Sequence, residues 1–249
     1  MGITLECLEL RGTIIEMAED QYPALEGIPL LASLTKAERV ELARQCRFKR
    51  FLAGEHIIDM EADGRDVHFV LEGTVRVVNY SPTGREVTLD DIGPGGYFGE
   101  LAAIDNGPRS AFVMPQGGFS VTAAMPSPVF LALLARKPLL GLEIMRRLAR
   151  MVRQSDNRIM DLSTLGAQHR IQAELMRQAA LQSHDGRTAV ITPIPLHADL
   201  ASRVSTTRET VARVLNDLAR DGIVERQKSA LVIHDLQRLT ALVEEVRGR

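Results

Sequence analysis

Cysteine is nearly absent from this chain of 249 residues, and so is any long apolar run. Cys7 and Cys46 are too few for a disulfide framework, a four-thiolate iron–sulfur cluster or a zinc site of thiolates alone. They read as reduced thiols, Cys46 on the apolar face of a helix. No apolar stretch reaches the roughly 18 residues that a bilayer span needs. The first residues carry Glu6, Glu9, Glu16, Glu19 and Asp20, unlike the basic start of a signal peptide. Glu6 also stands where a myristoylation signal beginning at Gly2 wants Ser or Thr. A cytoplasmic protein without a membrane role is expected. Also missing are a P-loop and a nucleophile motif, and no metal-ligand cluster accompanies the carboxylates. The expectation is a binding protein rather than an enzyme, with no catalytic residues and no metal.

The length suits two domains, and 45% hydrophobic with 25% charged residues is an ordinary globular mix. Charge is divided unevenly. Residues 1–140 hold 13 basic and 19 acidic residues, net −6, whereas residues 141–249 hold 17 and 13, net +4. A basic C-terminal part suits a polyanionic partner once a motif supports it.

Leu34–Cys46 reads as an amphipathic helix, with Thr35 and Glu38 forming a capping box. From Phe48 to about Leu134, short β-prone runs (HIIDM, VHFVLEG, TVRVVNY, EVTLDDI, FSVTAA, PVFLAL) alternate with glycine turns, which predicts an antiparallel sandwich or roll. A long helix then runs from Pro138 to about Ser163. Met145, Leu148, Val152, Ser155, Ile159 and Leu162 recur on it at alternating spacings of three and four, the seam of a two-helix coiled coil. A hinge is expected near Thr164–Ala167. Helices follow over Gln168–Gln182, Leu196–Val204 and Thr206–Arg220, the last two one or two residues apart. A hairpin over Ile223–Arg226 and Ala230–His234 completes a winged helix-turn-helix. The expected fold class is α+β: an N-terminal extension (1–27), a β-roll (28–140), a dimerisation helix with its hinge (141–165) and a winged helix-turn-helix (166–249).

The densest chemistry lies in GGYFGELAAIDNGPRSA, Gly95–Ala111. Gly99 lets backbone approach a ligand closely, and Leu101 and Ala102 open a short helix whose amides favour an anion. Arg109 supplies a charge-assisted partner for phosphate and Ser110 a hydroxyl. Glu100 only accepts hydrogen bonds, so beside a phosphate it suits a sugar hydroxyl. One anion site next to one hydroxyl acceptor describes a cyclic ribose-phosphate. The segment resembles the phosphate-binding cassette of cyclic-nucleotide-binding domains, with its F-G-E-[LI]-A and P-R-[STA]-A elements. That resemblance implies Glu100 on the ribose 2′-hydroxyl, and Arg109, Ser110 and the Leu101–Ala102 amides on the phosphate.

STTRETVARVLNDLARDGIV, Ser205–Val224, carries the second signal. Thr206 or Thr207 can cap the helix, Glu209 suits its first turn, and Val211, Val214, Leu215 and Leu218 form a buried stripe. That leaves Thr207, Arg208, Thr210 and Arg213 near the outward face. Arginine can read guanine and glutamate can accept from cytosine N4. R-E-T-V-x-R resembles the recognition helix of the cyclic AMP receptor protein/fumarate–nitrate regulator superfamily. The resemblance covers about residues 28–240. It implies a homodimer on double-stranded DNA at an inverted repeat of TGTGA-like half-sites, with Arg208 and Arg213 on guanines and Glu209 opposite cytosine. RNA polymerase is an expected partner. Thr207, Thr210, Gln227 and Lys228 are candidate phosphate contacts. Ser205 departs from the glycine usual at this turn.

The ligand's base is open between two purines. In the family the base reaches the long helix. Aligned on Ala167–Ile171, Ser155 and Asp156 stand where relatives carry a Thr-Ser pair. A carboxylate at Asp156 can accept from guanine N1–H and N2–H together, which favours cyclic GMP; cyclic AMP is the alternative, with Asp156 then paired to Arg153 or to the partner helix. The same superfamily contains haem sensors, but His56 and His68 come without a supporting pattern. The expected mechanism is allosteric. Ligand bridging the roll and the helix changes the seam around Ser155–Leu162 and, through the hinge, re-spaces the recognition helices.

Overall fold

The structure, a computed structural model, describes residues 25–180, 182 and 186–247. Most of the expected N-terminal extension, with Cys7, lies outside the described residues. The chain divides into two units. The first comprises the described residues up to Asn79 together with Leu89–Arg147; the second comprises Tyr80–Thr88 and the described residues from Leu148 onward.

In the first unit a 3-10 turn (Pro29–Leu31) precedes α1 (Lys36–Arg44). Both bonds of the capping box form: Glu38 N–H donates to Thr35 Oγ1 at 3.3 Å and Thr35 N–H to Glu38 Oε2 at 2.8 Å. Five strands follow: β1 (Arg47–Leu52), β2 (Val67–Tyr80), β3 (Glu86–Ile92), β4 (Tyr97–Phe98) and β5 (Phe112–Met125). They form one sheet in the order β1-β5-β2-β3, with β4 on β2. The pairings of β1 with β5 and of β2 with β4 and β5 are antiparallel.

Three expectations for this unit are corrected. VHFVLEG and TVRVVNY are one continuous strand, not two. Gly73 takes φ +73° at a register shift, and a Cβ there would sit 2.3 Å from the Phe119 carbonyl, so the strand passes through a bulge instead of turning. HIIDM contributes only an isolated bridge, Ile58 to Val113. PVFLAL lies in a helix, α3 (Ser127–Arg136), where proline in the first turn is tolerated and Phe130 and Leu133, three apart, are buried. Between β4 and β5 lies the short helix α2 (Glu100–Asp105).

The long helix α4 runs Pro138–Thr164, and α5 (Ala167–Ala180) starts after only Leu165 and Gly166. Of the seam residues, Met145, Val152, Ile159 and Leu162 are exposed on the single chain. The second unit continues with β6 (Ala189–Ile191), α6 (His197–Arg203), α7 (Arg208–Arg220), β7 (Val224–Arg226), β8 (Leu231–Ile233) and α8 (Leu236–Arg247). Its sheet has three strands, β6-β8-β7, one more than the expected hairpin. Ile171, Leu175, Leu200, Val211, Val214, Leu218, Ile233 and Leu239 belong to one core, so the helices and the wing fold around a common apolar centre. The gap between α6 and α7 is wider than expected, four residues, because Thr207 caps α7 from outside it and Ser205 leaves helical geometry altogether.

Candidate functional site

Strand β4 delivers the chain into a sharp turn at Gly99, which takes φ +84°. A Cβ at this position would meet Arg109 Nη1 at 2.7 Å and the Asp66 carbonyl at 2.8 Å, so the close approach excludes a side chain. Helix α2 begins at Glu100 itself, one residue earlier than the sequence suggested. Glu100 is 3% exposed and Arg109 6% exposed. Arg109 donates through Nη1 to the Gly99 carbonyl at 3.1 Å and through Nη2 to the Asp66 carbonyl at 2.9 Å. Two of its five donors therefore fix its orientation, and the others are available to an anion. Burial lowers the Arg109 pKa, partly offset by Asp66. Burial likewise raises that of Glu100, an effect opposed chiefly by Arg147.

Arg147, on α4, is a site residue that sequence reading missed. Its guanidinium stacks 4.0 Å from the Tyr97 ring centroid, and its Nε lies 4.0 Å from Glu100 Oε1. The spacing alone offered no signal, since Arg146, Arg147, Arg150 and Arg153 look alike in a basic run. Asn79 was also missed: its Nδ2 donates to the Ser110 carbonyl at 3.2 Å, holding the backbone after Arg109. Leu101 is half-buried, Ala102 is buried and Ser110 is exposed. His68, paired with Phe98 across β2 and β4, stacks on that ring with centroids 5.1 Å apart and lies 3.4 Å from Thr122 Oγ1. Burial, with help from Arg109, Lys49 and Arg47, pushes its pKa down to about 3 and keeps the imidazole neutral. Among the described residues no three of His, Cys, Asp and Glu converge as a metal site.

Gly99, Glu100, Leu101, Ala102, Arg109 and Ser110 thus lie on one segment, brought together by a glycine turn and a buried arginine. A buried cation and a buried carboxylate flanking close-approach backbone fit a ligand that carries both an anion and a hydroxyl donor. Ser155 and Asp156 lie on α4 in the second unit, and both are exposed.

In the second unit, Thr207 caps α7 by accepting from the Thr210 amide at 3.3 Å. Val211, Val214 and Leu218 bury one face of the helix, leaving Arg208, Glu209 and Arg213 exposed on the other; Thr210 is half-buried and Lys228 is exposed. The pKa of Glu209 is lowered by its own backbone amide, then by Thr207. Ser205 adopts φ +53°, a left-handed turn that glycine takes more easily. Arg170 of α5 supports it, donating to the carbonyls of Val204 at 2.9 Å and Ser205 at 3.2 Å, and also to that of Leu165 at 2.8 Å. A buried, anchored helix presenting two arginines and a glutamate on its free face can enter a major groove.

Two family models match this chain: the cyclic nucleotide-binding domain over residues 48–137 and the Crp-like helix-turn-helix domain over residues 169–242. A curated relative, the cyclic AMP receptor protein of Thermus thermophilus, is 31% identical over 89% of this chain and 98% of its own length. A CRP-like cAMP-activated global transcriptional regulator of Mycobacterium tuberculosis is 26% identical over 80% and 88%. Among solved structures, a CooA variant from Carboxydothermus hydrogenoformans superposes with a TM-score of 0.70 over 80% of this chain and 88% of that one, at 21% identity, a likeness of fold. Among the described residues no helix is long and apolar enough to cross a membrane.

Proposed function

The chain belongs to the cyclic AMP receptor protein/fumarate–nitrate regulator superfamily of transcription regulators, and on that premise we propose that it is a cyclic-nucleotide-responsive, sequence-specific DNA-binding regulator without enzymatic activity. The observation that carries this reading is the buried pair Glu100 and Arg109 on the segment turned at Gly99. In it Arg109, Ser110 and the Leu101–Ala102 amides take the cyclic phosphate and Glu100 the ribose hydroxyl. We assign residues 28–140 to effector binding, 141–165 to dimerisation and hinge, and 166–249 to DNA reading. The exposed seam residues of α4 support a homodimer. Arg208, Glu209 and Arg213 then read bases in two inverted TGTGA-like half-sites, with Thr207, Thr210 and Lys228 on phosphates. RNA polymerase is the expected downstream partner, and the cytoplasm the expected location.

Cyclic GMP is put forward as effector because the Asp156 carboxylate matches guanine's two adjacent donors. Cyclic AMP is the second reading, favoured by the relatives above that are named for an effector, which are cyclic-AMP-linked. Calorimetric titration of both nucleotides into wild type and Asp156→Ala decides between them. Tighter cyclic GMP binding that is lost in the variant supports the first reading; tighter cyclic AMP binding, or an unchanged preference, replaces it with the second. If neither binds, the effector assignment fails. Mobility shifts on the inverted repeat, with and without each nucleotide, test the DNA half.

A further inference from the structure

The two-residue junction between α4 and α5 joins a buried Leu165 to an exposed Gly166. Leu165 is buried with Ala173 of α5 and Val243 of α8. Its amide donates to the Asp161 carbonyl at 3.0 Å, and its own carbonyl accepts from Arg170. One turn earlier, Asp161 is 4% exposed and accepts from two arginines, Arg177 Nη1 at 2.7 Å and Arg247 Nη2 at the end of α8. Arg177 also donates to Glu174 Oε2 at 3.0 Å. Two carboxylates therefore face two guanidiniums, drawn from α4, α5 and α8. Burial opposes the charge on Arg177, yet Glu174 and Asp161 together hold its pKa above the ordinary arginine value. A buried carboxylate that loses one of its cations is left under-compensated, which makes the contribution of α8 consequential.

We propose that α8 clamps this junction: Arg247 on Asp161 and Val243 on Leu165 fasten the end of α4 to α5, so that the junction assigned above as a hinge does not flex between the two helices but transmits movement as a rigid joint. The consequence rests on the DNA-regulator reading. Arg170, which holds Leu165, also holds the turn that feeds α7, so displacement of α4 reaches the recognition helix through Leu165 and Arg170. A loosened joint absorbs that displacement.

The full chain carrying Arg247→Gln, Val243→Ala or Arg247→Lys is compared with wild type, with circular dichroism to confirm folding. Hydrogen exchange at the Leu165 amide reports the clamp. DNA mobility shifts with and without saturating cyclic AMP or cyclic GMP report transmission. Exchange is expected to quicken roughly tenfold in Arg247→Gln, less in Arg247→Lys, and also to rise in Val243→Ala. The ligand-driven change in DNA affinity shrinks in the loosened variants while calorimetric ligand affinity holds. Unchanged exchange in Arg247→Gln and Val243→Ala overturns the clamp. Faster exchange with an undiminished ligand response overturns the rigid joint. If neither nucleotide alters DNA affinity in wild type, it is the regulator reading that fails, and the exchange rates alone decide the clamp.

Discussion

Replacing Glu100 by glutamine separates its proposed ligand role from a structural one. The side chain keeps its shape but loses its charge, and the site is closed enough for that to matter. A hydrogen bond to a charged acceptor is worth about 1.5–3 kcal/mol and a neutral one about 0.5–1.5. The difference, about 1–1.5 kcal/mol, corresponds to roughly five- to twelve-fold weaker cyclic nucleotide binding. The unliganded protein responds in the opposite sense. Burial disfavours the carboxylate, and its nearest cation, Arg147, stands 4.0 Å away with water access of its own. Removing the charge should leave the thermal midpoint unchanged or higher. Calorimetry with each nucleotide and a melting curve without ligand give both numbers. Unchanged affinity would refute the sugar-hydroxyl role. A midpoint several degrees lower would instead make Glu100–Arg147 a structural tie.

Glu100 also sets a pH dependence. Its pKa is raised by burial, so the folded apo protein binds that proton more readily than the unfolded chain, and stability from this group falls as pH rises through the folded value. Ligand binding needs the ionised form, so affinity weakens as pH falls through the raised pKa of Glu100, and Glu100→Gln flattens that slope in calorimetry. Thr207→Ala removes the cap of α7 and should cost about 1 kcal/mol, seen as a midpoint lower by about 4–8 °C in the transition of the DNA-reading unit. Arg208→Met and Arg213→Met should each weaken binding to the TGTGA-like repeat roughly 5- to 150-fold and relax base preference, whereas Lys228→Ala weakens all sequences alike and lowers the salt slope by about one in mobility-shift titrations. Ile159→Asp places a charge in the exposed seam of α4; light scattering should report a monomer, and an unchanged dimer would move the interface elsewhere.

What could be read from the sequence was chemistry carried by contiguous residues. The capping box at Thr35 and Glu38 needs only a spacing of three, and it forms. Gly99 to Ser110 is a single segment, so its grouping needed no tertiary knowledge. Arg147 was illegible because its identity as a site residue depends on which face of α4 meets Tyr97, and four arginines share that stretch. Pro128–Leu133 misled for a different reason: a short apolar run fits a buried strand or a buried helix turn equally well. Gly73 looked like a turn because a bulge and a turn ask for the same left-handed backbone. The clamp at Asp161 escaped because its charges come from positions as far apart as 161 and 247.

Gly99 makes one position unusually informative about variants of this chain. Any side chain there would push into the Arg109 guanidinium and the Asp66 carbonyl and press on Ile58 of the roll's core at 3.2 Å. On the proposed reading, a descendant carrying alanine at 99 keeps its seam and its recognition helix, which are built from other segments, and yet is deaf to the effector. Such a protein would hold a constant DNA affinity, high or low, whatever the nucleotide concentration. On that reading, the identity of residue 99 predicts which copies respond to nucleotide and which hold a constant DNA affinity.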